Sequence, residues 1–359
     1  MRVLLIGGSG FIGPHVARQL IDQGHQVAVF HRGQAKTVLP ENVHEILGDR
    51  SVLANFAPEF RSFAPDVVVD FILSSERQAA EMMSTMRGIT GRVVALSSGD
   101  VYRAAGILHG LEPGPLQPLP LTEESELRTH RNPYPPPVLA KLRNVFAWLD
   151  DEYDKIPAEQ AVMGDPEIRG TVLRLPMIYG PGDPLHRLYP ILKRIDDERQ
   201  AILIQEEFAQ WRGPRGYVEN VAAAVTLAVT MPQAAGRVYN VAELEAFSEL
   251  EWTEHVGRIA GWNGQVLALP KHQTPVHLQN PANAAQHWIM SSARIRQELG
   301  YRESISPDTA LERTIAWERA NPPVAIDPKQ FDYATEDAAL AASAGHTTPD
   351  IRATSDIRN

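Results

Sequence analysis

The sequence contains no cysteine among its 359 residues, which excludes disulfide bonds, thiol nucleophiles and thiolate metal sites. This composition fits a reducing compartment, and we expect a cytoplasmic protein. No apolar run approaches the roughly 18 residues of a membrane-spanning helix, so no membrane association is expected. The net charge of −10 makes the chain a poor partner for phosphate backbones, so we expect no nucleic-acid partner. The twelve histidines form no metal-binding spacing, so no metal is expected either.

Four glycines fall within seven residues near the start of the chain, in the stretch LLIGGSGFIG (Leu4–Gly13). The strand-like RVLLI precedes this turn, and PHVARQLIDQG and HQVAVF follow with the patterns of a helix and a second strand. In such a βαβ unit one glycine permits the tight turn, one lets the backbone approach a pyrophosphate, and one lets the helix pack on the strand. The alternative is a plain glycine turn. The spacing predicts dinucleotide binding by Gly7, Ser9, Gly10, Phe11, Ile12 and Gly13.

Further apolar strands are predicted at Asp66–Ile72, Arg92–Ser98 and Gly170–Gly180, with helical stretches between them. Strands that alternate with helices indicate a parallel sheet covered on both faces, so we predict an α/β fold, a Rossmann doubly wound sheet with a smaller C-terminal substrate lobe. The proline-rich segment from Gly106 to Pro137 is expected to be a long surface loop. The predicted units are a Rossmann domain at 1–178, to which 214–243 return, a substrate lobe at 179–213 and 244–325, and a mobile tail at 326–359.

Six motifs follow one another along the chain: GGSGFIG, LGD (Leu47–Asp49), SSGDVY (Ser97–Tyr102), LRLPMIYGPGD (Leu173–Asp183), GYVENVA and YNVAE. In this order and spacing, over roughly residues 1–320, the sequence resembles the extended short-chain dehydrogenases/reductases of the NAD-dependent epimerase/dehydratase group. The resemblance implies an NAD(P)-dependent oxidoreductase, epimerase or dehydratase that transfers a hydride on a nucleotide-sugar-like or other small hydroxylated substrate. It also implies a homodimer. The alternative is a cofactor-binding regulatory or RNA-associated protein with a degraded catalytic site.

The resemblance assigns further residues to cofactor and substrate. Asp49 would contact the adenine, and Met177 and Ile178 would border the nicotinamide. Arg212 and Arg215 would contact a substrate phosphate or lie in a solvated loop. The remaining cofactor residues that the resemblance implies are Arg50, Phe71, Ile72, Leu73, Ser97, Lys155 and Pro176.

The end of the second strand bears on the choice between NAD and NADP. A carboxylate at this position would accept hydrogen bonds from the ribose hydroxyls of NAD, but the chain has His31 followed by Arg32. A guanidinium can hold a 2′-phosphate in a bidentate way, which favours NADP(H) over NAD. The alternative for Arg32 is a solvated side chain in a loop.

The group that the sequence resembles uses a Tyr-x-x-x-Lys pair on a helix for catalysis, together with a hydroxyl that Ser98 would supply here. Two lysines are candidates, Lys141 and Lys155. The distance to the strand that contains Arg174 favours Lys155. The position four residues before Lys155 is Asp151, so the usual tyrosine is missing.

Two side chains are candidates to complete this set. Tyr153 lies two residues before Lys155, on the opposite face of an ideal helix. It acts in catalysis if it lies in a non-helical turn, and otherwise it serves ordinary packing. Asp100, two residues after Ser98, is an acid or base near the substrate or a carboxylate that binds its own turn.

Overall fold

The computed structural model describes residues 1–34, 38–134 and 136–344. The strands in these ranges are β1 (Arg2–Ile6), β2 (Gln26–His31), β3 (His44–Leu47), β4 (Val67–Asp70), β5 (Arg92–Ser98), β6 (Arg169–Leu175), β7 (Met177–Tyr179), β8 (Ala201–Gln205), β9 (Arg215–Tyr217), β10 (Val238–Asn240) and β11 (Gln265–Leu269). The helices are α1 (Gly13–Asp22), α2 (Ala57–Phe63), α3 (Glu76–Met86), α4 (Arg103–Leu108), α5 (Pro136–Val145), α6 (Lys155–Met163), α7 (Tyr189–Asp196), α8 (Glu206–Ala209), α9 (Val218–Thr230), α10 (Glu249–Ile259), α11 (Ala293–Leu299), α12 (Pro307–Ala320) and α13 (Tyr333–Ala344). None of the helices in the described ranges is long and apolar enough to cross a membrane.

Seven of these strands form one parallel sheet in the order β10-β6-β5-β4-β1-β2-β3. β1 lies inside the sheet, where Val3 pairs with Val27 of β2 on one side and with Val67 of β4 on the other. The strand order proceeds outward from β1 in both directions, as in a doubly wound fold. The predicted α/β fold class is therefore confirmed.

Both faces of the sheet are covered, which explains why its strands are continuously apolar. Along β1, Val3 and Leu5 belong to the core that includes α1 and α9, whereas Leu4 and Ile6 belong to the core that includes α3 and α6. Successive side chains of a strand point to opposite faces, so burial on both faces requires an apolar residue at every position. Each fully buried aliphatic side chain contributes roughly 1.5–3 kcal/mol relative to an exposed one, and this core fixes the strand ends in space.

The chain beyond β6 adds two small parallel sheets and the helices of a C-terminal lobe. β7 pairs with β9, and β8 pairs with β11. The segment that was predicted to be a loop from Gly106 to Pro137 contains the end of α4 and the start of α5, and residues 109–134 between these helices form no helix or strand. None of the side chains of α5 is fully buried.

The segment that was predicted to be a mobile tail is partly helical. Glu336 of α13 is fully buried and forms an ion pair of 2.6 Å with Arg194 of α7. His277 lies 3.0 Å from the same carboxylate. These contacts anchor α13 to the C-terminal lobe. Glu336 and Arg194 are 142 positions apart in the chain, so the composition of the tail alone does not predict this anchor. Residues 345–359 of the predicted tail lie outside the described residues.

Candidate active site

A cleft of about 1070 Å³ opens at the carboxyl ends of the sheet strands. The strand order reverses at β1, between β4 and β2, and ligands of open α/β sheets bind outside the carboxyl ends of the strands at such a switch point. The sequence-predicted residues that line this cleft are Gly7, Ser9, Gly10, Phe11, Ile12, Gly13, His31, Arg32, Asp49, Arg50, Phe71, Ile72, Ser97, Ser98, Tyr153, Lys155, Pro176 and Ile178.

The glycine turn offers bare backbone and unpaired donors to this cleft. Gly7 has a φ of +74°, which few residues other than glycine adopt. A Cβ atom on Gly10 would meet only the carbonyl O of Gly7, at 3.7 Å, so the space outside Gly10 is open. α1 begins at Gly13 with no side-chain cap and no acidic residue in its first turn, and the N–H of Gly13 has no hydrogen-bond acceptor among the described residues, so this donor and the positive end of the helix dipole are free for an anion. These features fit the pyrophosphate of a dinucleotide.

The ribose end of the cleft contains a cation beside a histidine–carboxylate pair. His31 Nε2 lies 2.8 Å from a carboxylate oxygen of Glu45, and His31 Nδ1 accepts a hydrogen bond of 3.3 Å from the N–H of Gly33. Arg32 is exposed and has no ion-pair partner among the described residues. Asp49 accepts a hydrogen bond from the N–H of Ser51, and this bond lowers the pKa of Asp49. Glu45 was not predicted, because only the pairing of β3 with β2 places it beside His31.

Two of the predicted cofactor residues, Arg50 and Leu73, form hydrogen bonds with other parts of the protein at the cleft. Arg50 donates to Asp70 at 2.6 Å and to the carbonyl O of Gln78 at 3.1 Å, so its charge is already paired. Leu73 is buried and is not among the described residues that line the cleft. Its carbonyl oxygen instead accepts a hydrogen bond from Lys155.

Lys155 is the buried cation of the site. α6 begins at this residue, because Asp154 caps the helix by accepting a hydrogen bond from the N–H of Ile156. The Nζ of Lys155 donates to the carbonyl oxygens of Leu73 and Leu96, the latter at 3.1 Å. An ammonium has three donors, so one remains for a ligand in the cleft. Burial lowers the pKa of Lys155 to about 8.

Two tyrosine hydroxyls converge on one carboxylate beside Lys155. Tyr153 donates to Oδ2 of Asp100 at 2.8 Å, and Tyr134 donates to the same oxygen at 3.1 Å. Burial and the adjacent charge of Asp100 hold the pKa of each tyrosine well above its ordinary value. Both tyrosines line the cleft, whereas Asp100 is fully buried and is not among the described residues that line it. Asp100 was predicted to be either an acid or base near the substrate or a carboxylate that binds its own turn, and in the structure its carboxylate reaches the cleft through the two tyrosine hydroxyls.

The backbone around Asp100 explains the role of Ser98. The Ser98 hydroxyl accepts a hydrogen bond of 3.2 Å from the N–H of Asp100, which fixes the turn after β5. Arg128 donates to the carbonyl O of Asp100 at 3.0 Å and pairs with Asp154 at 2.5 Å. Asp151, which occupies the usual tyrosine position, is exposed and lies 3.2 Å from Arg143.

Tyr134, like Glu45, is a site residue that sequence analysis missed. It lies in the irregular proline-rich segment, 34 residues after Asp100 and 19 before Tyr153, so no periodic pattern connects the three. The available signal was a single aromatic residue between prolines in NPYPPP.

A buried polar network supports the strand that follows α6. The hydroxyl of Ser97 donates to Glu159, and the guanidinium of Arg174 pairs with Glu159 at 2.7 Å. Arg174 also stacks on the ring of Tyr102 with 4.9 Å between the guanidinium carbon and the ring centroid. This network fixes the end of β5, from which Ser97 and Ser98 project.

The two predicted phosphate-binding arginines lie outside the described cleft wall. Arg212 pairs with Glu251 at 2.8 Å and donates to the carbonyl O of Ala246. Arg215 is buried, pairs with Glu249 and stacks on an aromatic ring. Both guanidinium charges are therefore already paired, that of Arg215 in a buried position and that of Arg212 in a partly exposed one.

Two relatives of known activity match parts of the chain. The 2′-dehydrokanamycin reductase of Streptomyces kanamyceticus is 34% identical over 98 residues, which cover 27% of this chain and 28% of that protein. The UDP-glucose 4-epimerase of Lactobacillus helveticus is 26% identical over 165 residues, which cover 42% of this chain and 47% of that protein. The chain thus matches less than half the length of either relative.

The fold is similar to that of solved epimerase structures. UDP-glucose 4-epimerase from Bifidobacterium longum in complex with NAD+ and UDP superposes with a TM-score of 0.63 and 17% identity, over 90% of this chain and 99% of that one. At this identity the likeness shows the fold alone. The profile of the NAD dependent epimerase/dehydratase family matches residues 3–242, about two thirds of the chain. The motifs, the parallel sheet and this match agree, and the chain belongs to the NAD-dependent epimerase/dehydratase family.

Proposed function

We propose that the protein is an NAD(P)-dependent oxidoreductase that transfers a hydride on a small hydroxylated, sugar-type substrate. The observation that carries this proposal is the Tyr153 hydroxyl, which lines the cleft, donates to Asp100 at 2.8 Å and lies beside the buried Lys155. When bound, the nicotinamide accepts or supplies the hydride. The open backbone at Gly10 and the uncapped start of α1 support dinucleotide binding at the other end of the cleft.

The proton transfer follows from the electrostatics of this pair. Tyr153 is buried, and the charge of Asp100 opposes its ionisation, so the phenol cannot act as a preformed phenolate near neutral pH. As a substrate hydroxyl is oxidised, its proton passes to the Tyr153 oxygen while the Tyr153 proton passes to Asp100 Oδ2. The hydride leaves the substrate carbon, a carbonyl forms, and Asp100 becomes neutral. Reduction runs through the same atoms in reverse.

Lys155 supports this proton transfer through its positive charge, and its remaining N–H donor is available to bind the cofactor. Two of its three donors are fixed by the carbonyl oxygens of Leu73 and Leu96. The third would bind a ribose hydroxyl of the nicotinamide nucleoside and hold the ring against Tyr153. The family motif places a lysine in this role, and Lys155 occupies it without the usual tyrosine four residues earlier.

The charges around the cleft bear on the substrate. Arg212 and Arg215, which were expected to contact a substrate phosphate or to lie in a solvated loop, both pair with glutamates. Arg187 lines the cleft and pairs with Asp183 at 2.6 Å. These pairings support a substrate that binds without a diphosphate. One such substrate is 2′-dehydrokanamycin, which the Streptomyces relative reduces according to its name. Nucleotide sugars, named for the epimerase relatives, are the second candidate.

The cofactor proposal is a preference for NADP(H) over NAD(H). Arg32 lines the cleft at the ribose end and has no ion-pair partner among the described residues, so a 2′-phosphate can bind there. Glu45 limits this preference, because its carboxylate lies beside His31 and repels a phosphate approaching that side. We assign the discrimination to Arg32 and not to His31.

We also propose a homodimer through α3 and α6. These helices pack side by side on one face of the sheet and leave Ala80, Ser84 and Gln160 exposed. Small exposed side chains permit close approach of two helix pairs across a two-fold axis. A molecular mass equal to one chain at all concentrations in light scattering would reject this assembly.

The activity is tested with two probe substrates. The purified protein is mixed with NADPH or NADH and 2′-dehydrokanamycin, and with NAD+ and UDP-glucose. Products are followed by nicotinamide absorbance, by mass spectrometry and, because an epimer has the same mass as UDP-glucose, by NMR. We expect turnover of 2′-dehydrokanamycin and a loss of about 100-fold or more in Tyr153→Phe, because general acid–base catalysis contributes roughly 10²–10⁴-fold. The control is Tyr333→Phe, which removes another tyrosine–carboxylate bond, to Asp197, far from the cleft wall. Turnover by Tyr153→Phe at the wild-type rate would reject the assignment.

A further inference from the structure

We infer that Tyr134 is a second catalytic hydroxyl, the outlet through which the proton that Asp100 takes from Tyr153 returns to the cleft. This inference rests on the proposed function and adds a residue to it. Tyr134 comes from the proline-rich segment that joins α4 to α5, so a segment outside the sheet contributes to the catalytic set.

The geometry gives the two tyrosines one shared acceptor. Tyr134 and Tyr153 donate to the same oxygen of Asp100, at 3.1 Å and 2.8 Å. Their rings are nearly parallel, with 29° between the planes and 6.1 Å between the centroids. A proton that reaches Oδ2 from one hydroxyl is therefore within hydrogen-bond reach of the other hydroxyl.

The isolation of Asp100 limits the paths by which its proton can leave. Its side chain is fully buried, and its Oδ1 atom has no hydrogen-bond partner among the described residues. Arg128 contacts the backbone carbonyl of Asp100 and not the carboxylate. In the described part of the chain, the only groups that hydrogen-bond to the carboxylate are the hydroxyls of Tyr134 and Tyr153. A proton taken up from Tyr153 therefore returns through Tyr153 or leaves through Tyr134.

The two tyrosines differ in their exposure to the cleft, which fits a different role in proton transfer for each. Tyr153 is buried, with 6% of its surface exposed, and it lies two residues before Lys155. Tyr134 is only partly buried and lines the cleft at the base of α5. Tyr153 is thus placed beside the cation that holds the nicotinamide nucleoside, and Tyr134 is placed where water or a second substrate atom can reach it.

The transfer balances in protons and charge. Neutral Asp100 passes its proton to the Tyr134 oxygen as Tyr134 releases its own hydroxyl proton to water or to a basic substrate atom. The Asp100 carboxylate and both phenols are then restored for the next turnover. In the direction of reduction, the same path carries a proton from the cleft through Tyr134 and Asp100 to Tyr153, which protonates the new alkoxide.

A purely structural role for Tyr134 would be to hold the start of α5 in place. The chain beyond the other end of α5 is held by Asp150, which accepts hydrogen bonds from Ser75 and Arg77. Tyr134→Phe retains the ring and its stacking on Tyr153 and removes only the hydroxyl group, with its exchangeable proton and its hydrogen bond to Asp100. The variant therefore separates proton transfer from packing.

The kinetic test separates the first turnover from later ones. In stopped flow with NADP+ and the alcohol that corresponds to 2′-dehydrokanamycin, Tyr134→Phe is expected to give a first turnover of nearly wild-type amplitude, because the Asp100 carboxylate still accepts the proton of Tyr153. Steady-state turnover is expected to fall at least tenfold, because neutral Asp100 then loses its proton only slowly. Tyr153→Phe is expected to lose the first turnover as well. Equal steady-state rates for Tyr134→Phe and the wild type would overturn the inference.

A second measurement needs no substrate. Protein labelled with ¹³C at Cζ of tyrosine gives one signal for each of its nine tyrosines, and single Tyr→Phe variants assign them. Asp100→Asn is expected to shift the signals of both Tyr134 and Tyr153, and Tyr134→Phe is expected to shift that of Tyr153, whereas Tyr333→Phe leaves both unchanged. An unshifted Tyr134 signal in Asp100→Asn would overturn the shared bond. Shifted signals without turnover of either probe substrate would reject the proposed function and the catalytic role of Tyr134 together, and would leave the bond itself established.

Discussion

Gly13 lies so close to Gly8 that a Cβ atom on Gly13 would be 2.2 Å from the Gly8 carbonyl oxygen. The start of α1 therefore packs directly on the end of β1, and only a glycine allows this approach. Gly10, three residues earlier, has open space where its Cβ atom would lie. One turn thus contains a glycine that the fold requires and a glycine that only a ligand would require.

Gly10→Ala tests the second of these roles. The added methyl group fits the protein, since its nearest neighbour would be the Gly7 carbonyl oxygen at 3.7 Å. It would occupy the space that a pyrophosphate needs, so we expect the affinity for NADPH and NADH to fall about tenfold or more, which corresponds to about 1.4 kcal/mol. Titration calorimetry measures the affinity, and circular dichroism checks that the fold is intact.

The matched variant is Gly13→Ala. Here the methyl group would clash with the Gly8 backbone, so the variant is expected to unfold at a lower temperature or to be insoluble. If Gly10→Ala binds both cofactors as tightly as the wild type does, the glycine turn does not hold the pyrophosphate.

Lys155 predicts a pH dependence of cofactor binding. Burial lowers its pKa to about 8, and binding of a ribose hydroxyl to its free donor favours the protonated form. The affinity for NADH should therefore be constant below about pH 8 and fall by up to about tenfold per pH unit above it, as the ammonium loses its proton. NADH is the suitable ligand because its reduced nicotinamide carries no positive charge.

Fluorescence titration of NADH between pH 6 and 10 measures this profile. Lys155→Gln should bind weakly and without the break near pH 8, whereas Lys193→Gln, a change on the surface of α7, should retain the wild-type profile. A wild-type affinity that rises with pH would contradict the assigned role.

The parts of this site that sequence analysis predicted are those set by local backbone. The glycine turn and the apolar strands follow from residue spacing within about thirty positions, and the structure places them at one cleft. The contacts that sequence analysis missed are those set by tertiary packing. Glu45 reaches His31 through strand pairing, and Tyr134 reaches Asp100 although 34 positions, including α4 and the irregular residues 109–134, separate them in the chain. Neither pairing leaves a periodic signal in the sequence.

The Glu159–Arg174 pair predicts a large effect on stability. Both side chains are buried, their charged atoms are 2.7 Å apart, and Ser97 donates to the same carboxylate. Removal of one partner leaves the other charge buried and unpaired, so Glu159→Ala should lower the free energy of unfolding by about 3–5 kcal/mol. Urea denaturation followed by circular dichroism measures the change.

The comparison for this variant is Asp197→Ala, which breaks a partly exposed pair with Lys193 at the end of α7. Exposed ion pairs contribute little to the free energy of unfolding, so the stability of this variant should remain close to that of the wild type. Similar unfolding midpoints for Glu159→Ala and the wild type would show that the buried network does not support the end of β5.

We expect the choice of cofactor to depend on Arg32, because it lines the cleft just after β2 and its charge has no ion-pair partner among the described residues. A hydrogen bond to a charged group contributes about 1.5–3 kcal/mol, and the exposure of Arg32 places its effect near the lower limit, about a tenfold preference for NADPH over NADH. Arg32→Asn should remove this preference, and the double variant His31→Asp with Arg32→Asn should reverse it, because the new carboxylate accepts hydrogen bonds from the ribose hydroxyls and repels a 2′-phosphate. Glu45→Gln should instead raise the preference for NADPH, since it removes the negative charge 2.8 Å from His31. These predictions are checked by measuring the dissociation constants of NADPH and NADH for the wild type and the three variants. If the wild type binds NADH at least as tightly as NADPH, Arg32 does not contact the cofactor.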